Sequence, residues 1–203
     1  MIYRVIGVMS GSPEEGIDII FTELIETGGK WNQEIIFAEN YPYTNDWKEQ
    51  LNNVPNSSAL QYQRLHMWFG RYIGQQVNNF IGQHELDHRV HLVVSHGYTV
   101  FHLPGEDTTA QLGNGAYIAA ETKLPVVSDL LSLDMAFGGK AAPMGAIAEK
   151  LLSAGSDAPV LPKALVVALM GILRWREERN MDSLITGAKQ DSIGGALWLG
   201  TEG

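Results

Sequence analysis

The sequence predicts an α/β domain built on a mixed sheet, with a three-stranded meander at its start and helices flanking it. Three observations lead there. The run Ile2 to Met9 is near-continuously apolar, as in a central strand covered on both faces. Ile17 to Ile25 and Trp31 to Ala38 follow it across short turns, the second marked by Gly28-Gly29, so the first three strands lie side by side. Beyond Ser58 a long helix, a strand, a helix and another strand alternate, an order that implies right-handed crossovers and a parallel section.

Each element has its own signal. Asn40 to Asn53 is polar, with a short helix expected around Asp46 to Leu51. Ser57-Ser58 is an N-cap pair for a helix reaching Gln83. Along it Tyr62, Leu65, Phe69, Ile73, Val77 and Phe80 recur at three- and four-residue spacing, which makes a buried stripe rather than a cofactor box. Val90 to Val94 reads as a strand, Leu103-Pro104-Gly105 as a loop, and Thr108 to Leu112 as a short strand. Gly115 to Thr122 is an Ala-rich helix, and Pro125 to Asp129 a buried strand with a polar end. After the loop at Gly138 to Pro143, Met144 to Leu152 reads as helical. Ser153 to Pro159 is small and linker-like. Ala164 to Asn180 is a helix that is basic toward its end, and Ser183 to Thr186 and Ala196 to Leu199 read as short strands.

Composition narrows the classes of function. At 203 residues the chain can bury roughly 70% of its unfolded surface without a metal or disulfide staple. It has no Cys, which removes thiolate chemistry and Cys-ligated zinc. A formal net charge of −9 argues against nucleic acid or an anionic membrane as partner. No apolar run approaches the roughly 20 residues of a membrane span, and the start runs into a strand without a basic leader, so a soluble cytoplasmic protein is expected.

Parallel sheets bind ligands beyond the carboxyl ends of their strands. Three polar strand ends fall on one rim: Met9-Ser10-Gly11, Ser95-His96-Gly97 and Ser128-Asp129. The turn Ser10 to Gly16 reads either as an ordinary hairpin or as a nest of backbone N–H groups that holds an anion. His96 reads as a structural residue or a ligand contact, and His102 shares the strand-end setting. Asp18 and Asp129 are suited to holding magnesium through water or to capping backbone donors. His84, His88 and His91 form a charged segment that reads as a solvated turn, with a metal site as the competing reading.

Together these motifs resemble the anhydro-N-acetylmuramic acid kinases, members of the actin/hexokinase-like sugar kinase superfamily. The family opening M-S-G-T-S-x-D-G-[IV]-D corresponds to Met9 to Asp18, and S-H-G-Q-T-[VI]-x-H to Ser95 to His102. T-L-Q-[IL]-G-[ND] corresponds to Thr109 to Asn114, V-V-S-D-F-R-S-x-D to Val126 to Asp134, and G-G-Q-G-A-P-L to Gly138 to Met144. The tail from Ile185-Thr186-Gly187-Ala188 to Gly194-Gly195-Ala196 looks like the family's C-terminal T-G-A segment. The resemblance implies a single ribonuclease-H-like lobe. It also implies a family reaction, the ATP-dependent phosphorylation of 1,6-anhydro-N-acetylmuramic acid in cell-wall amino sugar recycling, with ATP and magnesium as cofactors. By the same resemblance Gly11, Ser12, Gly16 and Asp18 face the nucleotide, and Ser95, His96, Gly97, Gln111 and Asp129 face the sugar.

The departures are as specific as the matches. The family's second lobe carries N-L-G-G-[IF]-x-N and D-T-G-P-G-N, the latter with its proposed catalytic Asp, and neither motif occurs in this sequence. Residues 153–162 are therefore read as a linker at an internal deletion within one domain, 1–203. It joins a lobe, 1–152, to a C-terminal helix and strands, 163–203, that pack back on it. No catalytic residue or metal ligand is carried over. Pro13 removes a backbone donor from the first turn, Glu14 adds negative charge, and Glu15 stands where the family has Asp. Leu131 replaces a substrate-binding Arg, Tyr98 replaces Gln, and G-G-Q-G has become Gly138-Gly139-Lys140-Ala141. The expectation is a degenerate homologue with little or no kinase activity, its partners an amino sugar or a nucleotide. The alternative is a non-catalytic scaffold whose cleft face, partly apolar, serves a homodimer or a complete paralogue.

Overall fold

The computed structural model describes residues 1–136, 139, 148, 151–152, 163–185 and 197–198, with backbone alone at 133, 177–185 and 197–198. The meander is present as β1 (Ile2–Ser10), β2 (Ile17–Thr27) and β3 (Lys30–Tyr41). Helices α1 (Asn45–Asn53) and α2 (Ala59–Gln83) lead to β4 (Leu92–Ser95). A hairpin follows, β5 (Tyr98–Leu103) and β6 (Thr108–Leu112), then α3 (Gly115–Thr122), β7 (Val126–Val127) and α4 (Leu130–Ala136). The last described elements are α5 (Lys163–Ile185) and β8 (Leu197–Trp198).

The main sheet has the order β3-β2-β1-β4-β7-β8. β1 and β2 run antiparallel in register Ile2↔Ile25 to Ser10↔Ile17, whereas β1 with β4 and β4 with β7 are parallel. β8 closes the far side antiparallel to β7. β3 forms the opposite edge, its pairing with β2 broken by a bulge between Phe21 and Thr22. The result is the mixed sheet with an N-terminal meander and flanking helices that the sequence predicts.

Both faces of the sheet are covered, which explains the near-continuous apolar run of β1. Ile6 and Val8 point to one core with Phe69, Ile73, Val77 and Phe80 of α2 and Ile118 of α3. Tyr3 and Val5 point to a second core with Leu165, Ala168, Leu169 and Ile172 of α5. α2 starts where its cap residues place it. Ser58 accepts from Gln61 N–H while the Gln61 side chain accepts from Ser58 N–H, a reciprocal capping box. α5 lies close on β1 and β4 because two glycines leave room. A Cβ on Gly7 would run into the Ala164 carbonyl oxygen, and one on Gly171 into the Val94 side chain. At its other end Arg176 lies over the rings of Trp31 at 5.4 Å and Tyr3 at 6.0 Å, with Glu26 at 3.9 Å.

Several sequence expectations are corrected. β4 starts at Leu92 rather than Val90, because the backbone before it turns through His88, at φ 59°. Tyr98 to Leu103, to which the sequence assigns no element before the loop at Leu103-Pro104-Gly105, is strand β5, which pairs with β6 in a separate two-stranded sheet. Leu130 to Ala136 is helical, with Leu130, Leu131 and Met135 buried. Ser183 to Ile185, expected in a strand, continues α5. The expected helix at 144–152 lies outside the described residues except at Ala148, Leu151 and Leu152, and the expected linker lies outside them altogether. Among the described residues no helix is long and apolar enough to cross a membrane.

Gly7→Ala forces the methyl into the α5 backbone and is expected to cost about 1–3 kcal/mol by overpacking. Urea unfolding checks this; a variant as stable as the parent would show that α5 is not seated against β1.

Candidate functional site

The carboxyl ends of β1, β4 and β7 form one rim, and its side chains are polar although buried. Ser95 is 1% exposed and Ser10 3%, and His96 and Ser128 are also buried. Ser10 and Ser95 follow Val8 and Val93 at the two-residue strand period, so they share the face that carries α2. The Ser95 hydroxyl has no hydrogen-bond partner. Ser10 Oγ and Tyr43 OH are neighbours, yet neither reaches hydrogen-bond geometry with a partner. Burial pushes the Tyr43 phenol upward, and the Ser10 hydroxyl offsets part of that shift.

The β1–β2 turn brings Gly11, Ser12, Gly16 and Asp18 together, and its hydrogen bonds are internal. Gly11 N–H donates to Gly16 O at 2.9 Å, while Ser12 O accepts from Glu15 N–H at 2.9 Å and Gly16 N–H at 3.3 Å. Ser12 N–H donates to Glu15 Oε2 at 2.9 Å. That backbone bond, then the Ser12 hydroxyl, then the Lys163 ammonium hold the Glu15 carboxyl below the usual carboxylate range, against a small opposing desolvation. Asn40 Nδ2 donates to both Glu15 O and Asp18 Oδ1, each at 2.8 Å, and Glu14 pairs with Lys48 at 3.0 Å.

β4 delivers Ser95, His96 and Gly97 beside the end of β1, where His96 N–H donates to Val8 O at 3.0 Å. The His96 Nδ1 lies 3.0 Å from Gly97 O; a carbonyl can only accept, so Nδ1 carries the proton and Nε2 is left as an acceptor. Burial pushes the imidazole below its ordinary pKa, only partly offset by that bond. Gln111 on β6 donates from Nε2 to Thr109 Oγ1 at 2.7 Å, and its Oε1 is buried without a partner. His102 Nδ1 lies 3.3 Å from the same Thr109 hydroxyl.

Asp129 follows β7 in a left-handed conformation at φ 57° and accepts from Ser132 Oγ at 2.5 Å. Arg174 of α5 donates to the carbonyls of Ser128 and Asp129 at 3.4 and 3.3 Å, so the last helix holds this corner of the rim. Between Asp129 and the Gln111 backbone stands His66 of α2, which sequence reasoning missed. Its ring stacks with Tyr62 at 6.2 Å, its Nδ1 is buried without a partner, and desolvation lowers its pKa against the pull of Asp129. The helical spacing of Tyr62 and His66 could have revealed it, but the apolar stripe masks it. Beside this cluster a groove of about 490 Å³ opens between the hairpin and α4, lined by Asp107, Thr108, Thr109, Ser132, Met135 and Ala136. Its size falls in the range of small-molecule sites, and its lining is rich in hydroxyls.

The histidine segment is dispersed. His84 stacks on Phe37 at 4.2 Å and lies 3.3 Å from Glu39, while His91 Nδ1 accepts from Arg4 N–H. Among the described residues no group of three or more His, Asp or Glu is placed to hold a metal ion. The β1–β2 turn as it stands does not fit a nucleotide phosphate either. Pro13 offers no N–H, the Ser12 N–H is occupied by a carboxylate, and Glu14 and Asp18 add negative charge.

An α/β lobe with a polar rim at the carboxyl ends of its parallel strands and a hydroxyl-lined groove beside it is consistent with a single lobe of the sugar kinase superfamily. The match to the family model for anhydro-N-acetylmuramic acid kinase covers residues 3–172. The chain belongs to the anhydro-N-acetylmuramic acid kinase family. It is 32% identical over 156 residues to the anhydro-N-acetylmuramic acid kinase of Paramagnetospirillum magneticum, covering 76% of this chain and 43% of that protein. It is 30% identical over 157 residues to that of Bacillus thuringiensis subsp. konkukian, covering 73% and 41%. The chain thus spans about two fifths of the length of these relatives. A solved structure of T. thermophilus RuvC in complex with Holliday junction substrate aligns over 88% of this chain and 96% of that one, with a TM-score of 0.39 and 14% identity. That likeness is too distant to bear on fold or function.

Because burial lowers the pKa of His96 and His66, the unfolded chain binds more protons than the folded one as pH falls through about 6.5. Stability present at pH 7.5 is therefore lost toward pH 5.5. His96→Asn is expected to flatten that decline in urea midpoints, and parallel declines would contradict the burial of a neutral imidazole.

Proposed function

We propose that this chain is a degenerate anhydro-N-acetylmuramic acid kinase that keeps a sugar-side surface and carries little or no phosphoryl transfer. The observation that carries the reading is Leu131. The family resemblance puts a substrate-binding Arg at this position, and here the side chain is 6% exposed and packs with Met135 inside α4. A guanidinium at that point would offer two parallel N–H donors to a substrate; an isobutyl group offers none. The corner instead receives Arg174 from α5, directed at the backbone carbonyls of Ser128 and Asp129.

Phosphoryl transfer depends on positioned charge around the transferring group and on exclusion of water. The acidic, self-bonded β1–β2 turn counts against it. Ser95, His96, Gly97, Gln111 and Asp129 still lie around the rim, with the hydroxyl-lined groove beside Asp129, which supports retention of amino sugar binding. A coupled assay with ATP, magnesium and 1,6-anhydro-N-acetylmuramic acid is expected to give no turnover above background, and turnover would overturn the reading.

A non-catalytic interaction role is the second reading, favoured by large apolar side chains left in solvent on α2 and the hairpin. Trp68 is 53% exposed, Leu60 62% and Leu103 45%. Light scattering is expected to show a dimer that Trp68→Glu shifts toward monomer, and a monomeric parent would count against this reading.

A further inference from the structure

We propose that Glu15 is a resident anion of the β1–β2 turn, its carboxylate holding the Ser12 N–H that an external phosphate group would use. The turn Ser12-Pro13-Glu14-Glu15 has the Ser-x-x-Glu spacing of a capping box. Its carboxylate folds back onto the Ser12 N–H at 2.9 Å, and the nearby Ser12 hydroxyl helps to keep it ionised. It lies over the open side of Gly11, where an added Cβ would stand 2.8 Å from Glu15 Oε2 and 2.9 Å from Glu15 Cβ. The Lys163 ammonium supplies a favourable field at the same place. A backbone amide in the favourable field of an ammonium is suited to any small oxyanion.

The competition favours the side chain already there. Its carboxylate is three residues from the amide it bonds, so the contact forms without loss of translational freedom. The backbone that carries it is tied down, since Asn40 donates to Glu15 O at 2.8 Å. A phosphate approaching the same amide meets a like charge a few ångströms away and is repelled by it. The family's Asp at this position is one methylene shorter; the Glu reaches the amide of Ser12. This inference shares with the proposed function only the reading of the turn as a nest of N–H donors. It stands or falls on phosphate binding, whereas that reading stands or falls on turnover.

The test titrates inorganic phosphate into the parent chain and Glu15→Ala at pH 7.5, read by calorimetry and by backbone amide resonances. Glu15→Ala is expected to bind phosphate at least tenfold more tightly than the parent, with the shifts centred on Gly11 and Ser12, and adding Lys163→Ala to reverse the gain. Repeating it with a nucleoside triphosphate tells free phosphate from a nucleotide's, and binding of either in Glu15→Ala alone supports the proposal. Equal binding by parent and variant, or a Ser12 amide unmoved by either titrant, overturns it. Should Glu15→Ala not fold, acid titration of the parent decides. The Ser12 amide must shift with an ionisation below about pH 4.3, the ordinary Glu value, and a Ser12 amide indifferent to acid overturns the proposal.

Discussion

The structure depends on one strand being covered from both sides. β1 runs through the middle of the sheet, and its two side-chain rows feed two separate cores, one under α2 and α3 and one under α5. Burial of both rows leaves little freedom of register, because a one-residue slip would exchange the two sets and put Gly7 out of line with α5. The position of β1 therefore sets where its carboxyl end emerges, and the turn, the Ser10 hydroxyl and the neighbouring ends of β4 and β7 are placed by it. The last helix contributes to that placement twice, by packing on Gly7 and by carrying Arg174 to the corner of the rim.

The rim itself divides into two chemistries. Toward β2 it is acidic and internally bonded, with Glu14, Glu15 and Asp18 engaged by Lys48, Ser12 and Asn40. Toward β7 it is only partly bonded, with the Ser95 hydroxyl, His66 Nδ1 and Gln111 Oε1 buried and unpaired, like Ser10 Oγ on β1 and its neighbour Tyr43 OH. Unpaired buried polar atoms cost on the order of 1–3 kcal/mol each, so their number along the rim is a departure from what stability alone would select.

Much of the fold was legible because its signals are local. The box of Ser58 and Gln61 starts α2 at the residue where the apolar stripe begins, and the glycine turn at 28–29 separates β2 from β3. What was not legible depends on tertiary contact. β5 is partly exposed and pairs only with β6, so its residues show no buried pattern, and α4 is short enough that two adjacent leucines and a methionine resemble loop filler. At the site, the turn glycines and the strand ends stand out from spacing and position. His66 does not, since it occupies a shoulder of a core-facing helix, and its relation to Asp129 exists only once α2, β6 and β7 converge. Glu15 lies between these cases: its spacing from Ser12 is readable, but whether its carboxylate turns inward to the amide or outward to a ligand is a matter of conformation.

The β3 edge has a consequence for how this lobe can associate with anything else. A twelve-residue border strand would ordinarily invite a neighbouring chain to add itself through the backbone. Here the bulge between Phe21 and Thr22 bends the ribbon, and Lys30, Glu34 and Glu39 line the outermost strand with mixed charge. Backbone zippering along that border is thereby disfavoured. Any chain that met this border would have to engage it through side chains rather than by adding a strand.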